Sequence, residues 1–179
     1  MKVVKLDLPV LSSQIDENNL RLDPAPYLSG ASEAKAILAK LTAKKEPLKE
    51  ITKAIFSGPR FSRNYVQDPE YGVPFLGSVD ILEADLSHLP LISKKIVENN
   101  PNLLIEENWT LITCSGTIGR MVYSRAEMKG MAGSQHFMRV VPDPEKILPG
   151  YLYAYLSSKF GIPQIVSGTY GAIIQHIEP

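Results

Sequence analysis

The chain has little that would staple, anchor or strongly charge it. Its 179 residues include one cysteine, Cys114, so no internal disulfide can form and a reducing, intracellular setting is expected. A lone thiol closing an apolar run reads as a small buried residue rather than a nucleophile. No run approaches the roughly 18 apolar residues that a membrane helix needs. The opening stretch MKVVKLDLPV lacks the basic, long-apolar, small-residue order of a secretory signal. A cytoplasmic protein, with no membrane partner, is expected. Net charge is zero, with 19 basic against 19 acidic residues, which argues against a strong non-specific nucleic-acid binder.

Catalytic and cofactor patterns are also missing. The three histidines, His88, His136 and His176, stand far apart with no ligand-spaced pair, so no metal site is expected. GTIGR lacks the spacing of a phosphate loop, and SGTIG is not the dinucleotide fingerprint. No Gly-x-Ser-x-Gly elbow occurs. The acidic pairs Glu106-Glu107 and Asp143-x-Glu145 lie in turn-like stretches and read as solvated charge. Neither a catalytic constellation nor a cofactor is expected.

What is present is uneven. Residues 1–58 hold eight lysines and one arginine, Arg21. Residues 59–141 hold five arginines (Arg60, Arg63, Arg120, Arg125, Arg139) and three lysines (Lys94, Lys95, Lys129). Arginine is the better residue for forked bonds to phosphates and guanine edges. Composition alone also fits ordinary surface arginines.

The patterning suggests two short helices, a block of strands, a helix and a final strand. KVVKLDL reads as a short edge strand, and LDPAPYLSG as an extended linker. A helix is expected over SEAKAILAKLTAKK with Ser32 as N-cap. A second is expected over PLKEITKAIFSG, with Leu48, Ile51, Ile55 and Phe56 at helical spacing and Gly58 as its stop. GVPFLGSVDI reads as a buried strand. SHLPLISKKIVENNP is expected to hold a short helix. NLLIEENWTLITCSG is two short strands, or one strand after a turn at Glu107-Asn108. GRMVYSR and SQHFMRVVPD are further strands. PGYLYAYLSSKFG is a helix with Leu152, Tyr155 and Leu156 on one face. IPQIVSG adds a turn or two, and AIIQHIEP returns to strand. Segregated helices and strands predict an α+β fold of mixed small sheets with packed helices. Residues 1–46 form an N-terminal arm with a short helix, and 47–179 form the main domain.

Within WTLITCSGTIGRMVYSR, a small polar loop separates two strands. Gly116 and Gly119 allow tight backbone geometry. Ser115 and Thr117 offer hydroxyls, and Arg120 offers a fork. Such a set can contact phosphates or base edges. It reads equally as a hairpin turn with an exposed arginine.

Taken in order, LKEITKAIFSGPRFSRNYV, GVPFLGSVDI, WTLITCSGTIGRMVY, SQHFMRVVPD, PGYLYAYLSSKFG and GTYGAIIQHIEP resemble the target-recognition domain of type I restriction–modification specificity subunits. The resemblance spans about residues 47–179. It implies a protein that chooses a double-stranded DNA sequence and catalyses nothing itself. It further implies methyltransferase and restriction subunits as partners, each recognition domain reading one half of a split target. The family continues into a proline-rich join and a long spacer helix, where this sequence stops at Pro179. A truncated piece, a half-length subunit acting as a homodimer, and a stand-alone remnant all fit. Candidate DNA contacts are Arg60, Arg63, Ser115, Thr117, Arg120, Gln135, His136 and Arg139, with Tyr170 and Gln175 as weaker ones. Gln135 suits adenine, and an arginine suits guanine. Three other readings stand beside this one. They are a recognition domain within a fused restriction–methylation enzyme, a nucleotide- or small-molecule-binding enzyme using the 115–120 loop, and a protein-binding scaffold.

Overall fold

The structure is a computed structural model that describes residues 9–17, 20–171 and 176–179. The expected strand over KVVKLDL and the candidate Gln175 lie outside the described residues, as does the first half of AIIQHIEP. The α+β expectation is met. Among the described residues, eight strands form two four-stranded sheets, and helices pack around them.

The first sheet comprises β1 (Thr52–Ser57), β5 (Thr110–Thr113), β6 (Met121–Tyr123) and β8 (Phe137–Pro142), in the order β1-β8-β5-β6. All its pairings are antiparallel. The second comprises β2 (Tyr65–Val66), β3 (Gly72–Leu76), β4 (Leu91–Ser93) and β7 (Ala132–Gly133), in the order β2-β4-β3-β7. Its β3 and β7 are parallel.

Alternation along the first sheet sets its two faces. Ile112, Met138 and Val140 join a core with Leu152 and Leu156. Those two leucines stand one turn apart on a helix, Pro149–Leu156, in which proline occupies the first turn. The opposite face sends Leu111 and Phe137 into a second core with Leu76, Ile81, Ile105 and Met128. A third core lies under the second sheet, where Phe75, Ile92, Val97 and Leu103 meet. Adjacent residues Phe75 and Leu76 of β3 therefore tie the second and third cores together.

Helices run in chain order as α1 (Ser12–Glu17), α2 (Ala25–Leu28), α3 (Ala31–Ala39), α4 (Lys94–Asn99), α5 (Pro149–Leu156) and α6 (Gly161–Ser167). The expected linker at LDPAPYLSG contains the single turn α2, because Pro24 and Pro26 already carry a helix-compatible φ. The expected first helix starts one residue before Ser32, after Gly30 at φ +79°, and ends at Ala39. Both α2 and α3 pack on α6. Arg21 fastens this arm by donating from Nη1 to the Ser167 carbonyl at 3.0 Å while pairing with Asp23 at 2.7 Å.

The second expected helix is wrong. Residues 48–50 form one 3-10 turn, and the chain then extends into β1. The helical spacing of Leu48, Ile51 and Ile55 coincides with a strand's needs. Ile55 and Phe56 pair with Val140 and Arg139 across β8, with a bulge between Thr52 and Ala54. Cross-strand pairing overrides a weak helical stripe rich in β-branched residues. Over 101–113 a single strand forms after the turn at Asn108, whose φ is +69°.

Gly161 shows how closely the helical layer is joined. A Cβ there would lie 2.3 Å from the Leu156 carbonyl oxygen and 2.5 Å from that of Tyr155. Gly161→Ala is expected to cost about 1–3 kcal/mol. A thermal melt checks this, and an unchanged midpoint would contradict the packing of α5 against α6.

Candidate nucleic-acid interface

Two segments leave the sheets side by side. Gly58 ends the extension of β1 and begins residues 58–63. Along that stretch Phe61 stands edge-on to Phe75, with ring centroids 5.9 Å apart. The Arg63 guanidinium lies over the Phe75 ring, 5.1 Å from its centroid. The other segment, 134–136, links β7 to β8. The Ser134 N–H donates to the Leu76 carbonyl at 3.0 Å, and the His136 N–H donates to Ser134 Oγ at 3.1 Å. This turn is pinned to β3 from below.

Arg60, Arg63, Gln135 and His136 thereby gather at one end of the first sheet. Burial holds His136 below its ordinary pKa, and Arg63, His176 and Arg60 push it further in the same direction. The imidazole is neutral at pH 7 in the free chain. Gln135 Nε2 lies 3.2 Å from His136 Nε2, and Gln135 Oε1 is buried without a hydrogen-bond partner among the described residues. One arm of the amide is already engaged, so bidentate pairing with adenine requires its release from His136. Arg60 and Arg63 are exposed. Among the described residues, Arg60 forms no ion pair with a carboxylate.

His176 completes this cluster and was missed by sequence reasoning. Residues 136 and 176 meet through Cys114. The Cys114 N–H donates to the His136 carbonyl at 3.0 Å, and the Ile177 N–H donates to the Cys114 carbonyl at 3.1 Å. His176 also bridges Ser115 and Tyr170. The Cys114 thiol is buried, its pKa raised by that burial, as expected of a small core residue. Tyr170 is exposed and donates its hydroxyl to Glu178 Oε1 at 2.6 Å.

The 115–120 loop is the end of the β5–β6 hairpin. The Gly119 N–H donates to the Thr113 carbonyl at 3.0 Å, and the Arg120 N–H to Thr113 Oγ1 at 3.0 Å. Gly116 and Gly119 adopt φ of +77° and +85°. Ile118 packs into the first core, and a Cβ on Gly119 would lie 3.3 Å from Val166. The loop is therefore anchored by the fold. Ser115 is half-buried at the His176 bridge, while Thr117 and Arg120 are exposed. Arg120 makes no ion pair among the described residues.

Arg139 departs from its expected role as a DNA contact. It is 0% exposed in the middle of β8. Its Nη2 donates to the Gly133 carbonyl at 2.9 Å and the Leu103 carbonyl at 3.2 Å. Its guanidinium lies 4.9 Å from the Phe137 ring centroid and 5.6 Å from that of Phe56. Burial pushes its pKa down to about 10, so it stays charged at neutral pH. A side chain so enclosed presents nothing to a duplex.

The enzyme alternative, which requires a deep pocket beside the 115–120 loop, gains no support. The large groove, about 970 Å³, lies between the start of β1, α5 and α6, and its lining, with Leu38, Leu48, Ile51, Tyr151 and Leu156 among others, includes no residue of the 115–120 loop. Among the described residues no three His, Cys, Asp or Glu side chains gather as a metal site. No helix among them is long and apolar enough to cross a membrane.

A family model described as "Type I restriction modification DNA specificity domain" matches residues 42–177. Two solved structures are similar. The HsdS subunit from Thermoanaerobacter tengcongensis is 13% identical, with a TM-score of 0.53, and the match covers 86% of this chain. The type I restriction–modification system S subunit from M. genitalium is 14% identical, with a TM-score of 0.49 and 75% of this chain covered. The chain spans 40% and 31% of those two chains, respectively. No curated protein matches its sequence.

Proposed function

The chain belongs to the type I restriction modification DNA specificity domain family, and from that membership we propose that it reads one half of a split target in double-stranded DNA. One observation within the fold carries the reading. Two segments, each connecting one sheet to the other, bring two exposed arginines, a glutamine and a histidine to one surface. That is the mixture a groove reader needs, with cations for phosphate register and an amide and imidazole for base edges. Arg60 and Arg63 grip phosphate, while Gln135 and His136 face the groove. Thr117 and Arg120 extend the contact along the hairpin end, with Ser115 beside His176.

Catalysis belongs to other subunits in this reading. The domain directs a methyltransferase subunit and, for cleavage, restriction subunits, in the cytoplasm. Residues 47–179 form the recognition domain, and ahead of it the stretch from Arg21 through α3 is held on α6. A homodimer would supply a second half-site. Zero net charge fits an affinity shared with partner subunits, so the isolated domain should bind weakly.

The His136 environment gives a signed test. Burial, Arg63, His176 and Arg60 lower its pKa in the free chain. A DNA phosphate entering the cluster favours the charged ring, so its pKa rises on binding. Linkage then requires proton uptake, so affinity tightens as pH falls through the range between the raised pKa of the bound ring and the lowered pKa of the free one. Fluorescence titration with a duplex from pH 7.5 to 5.5 should show this, and His136→Gln should flatten the profile. Binding indifferent to pH in the unaltered chain would remove His136 from the interface. No salt-sensitive binding at any pH, even with a methyltransferase subunit added, would refute the function.

A further inference from the structure

Both segments of the interface start from backbone that presses on one guanidinium. A Cβ on Gly58 would lie 3.0 Å from Arg139 Nη1, and a Cβ on Gly133 would lie 2.6 Å from Arg139 Nη2. Gly58 opens the stretch that carries Arg60 and Arg63. Gly133 opens the stretch that carries Gln135 and His136. Beyond the Gly133 and Leu103 bonds, Nη1 points toward the Phe137 and Ser134 carbonyls at 3.4 and 3.5 Å. Phe56 and Phe137 flank the fork. Among the described residues its Nε has no partner, and every acceptor it meets is a carbonyl oxygen. A buried cation of this kind is costly when only stability is at stake. Its planar fork can nevertheless fix several carbonyls at once, which an ammonium cannot.

We propose that Arg139 is the positioning residue of the DNA interface, setting the spacing between the 58–63 segment and the 134–136 turn so that both meet one duplex in register. This rests on the DNA-reading function above. Arg139 touches no DNA. It acts by holding the Gly133 carbonyl and packing closely against Gly58. Reading a base edge demands placement within about half an ångström, whereas phosphate contact by a long arginine tolerates more. Loosening the fork therefore erodes discrimination before it erodes grip.

The test uses Arg139→Lys and the milder Gly58→Ala in the full chain, each assayed well below its melting temperature. The first readout is the ratio of affinities for a duplex recovered by selection on the unaltered chain and for a scrambled duplex. Each variant should lower that ratio tenfold or more while the dependence on salt stays unchanged, since the phosphate contacts remain. The second readout needs no DNA. The His136 ring titration, followed by proton NMR, should move up toward 6.5 as Arg63 and Arg60 drift from it. A purely structural role would lower the melting temperature and leave both readouts in place, and that result overturns the proposal. Should Arg139→Lys fail to fold, Gly58→Ala decides alone. An unaltered chain that recovers no preferred sequence sinks the DNA-reading function instead, and the NMR titration still decides whether Arg139 sets the spacing.

Discussion

Changing Arg60 and Arg63 together to alanine is expected to weaken duplex binding by about 100-fold or more and to flatten its salt dependence. Hydrogen bonds to charged groups contribute about 1.5–3 kcal/mol each, and 1.4 kcal/mol is tenfold in affinity. Two lost phosphate contacts should also reduce the slope of log affinity against log salt by roughly 1.8. The fold should hardly notice. Both residues are exposed. Only the Arg63 contact with Phe75 is lost from the folded chain, worth about 0.5–1 kcal/mol at an exposed site. Titration at several salt concentrations, paired with a thermal melt, separates the two effects. An affinity and a slope both unchanged would place the duplex elsewhere on the molecule.

Phe137→Ala should act on the fold itself. Phe137 is 0% exposed and lies in the core with Leu76, Ile81, Leu111 and Met128. It is also one of the rings beside the Arg139 guanidinium. Truncating a buried phenylalanine costs about 3–5 kcal/mol, which lowers the melting temperature by about 6–20 °C for a chain of this size. Calorimetry or a circular-dichroism melt reads this directly. A shift of only a degree or two would mean that the second core is not packed as described.

The strands were legible where apolar residues run between turn signals. GVPFL, TLIT, MVY and FMRVVP all became strands. So was α5, from Leu152 and Leu156 one turn apart. β1 was misread because its partner β8 lies some eighty residues downstream, and no local spacing reports that pairing. Arg139 was read as a surface contact, although Phe137, Met138, Val140 and Val141 flank it. An arginine inside an apolar strand is itself a sign of burial, and that signal was available. The meeting of His136 with His176 was not, since it depends on both strand ends bonding to Cys114. Of the proposed contacts, Gln135 and His136 are adjacent in sequence, but their approach to Arg60 and Arg63 is a product of the tertiary fold.

The most direct measurement is selection from a randomised duplex pool by the full chain, with and without a methyltransferase subunit, followed by sequencing of the bound fraction. A recognition domain predicts a short shared motif whose strength drops when Gln135 or His136 is replaced and whose overall yield drops when Arg60 or Arg63 is replaced. Recovery of unbiased sequences under both conditions would contradict it.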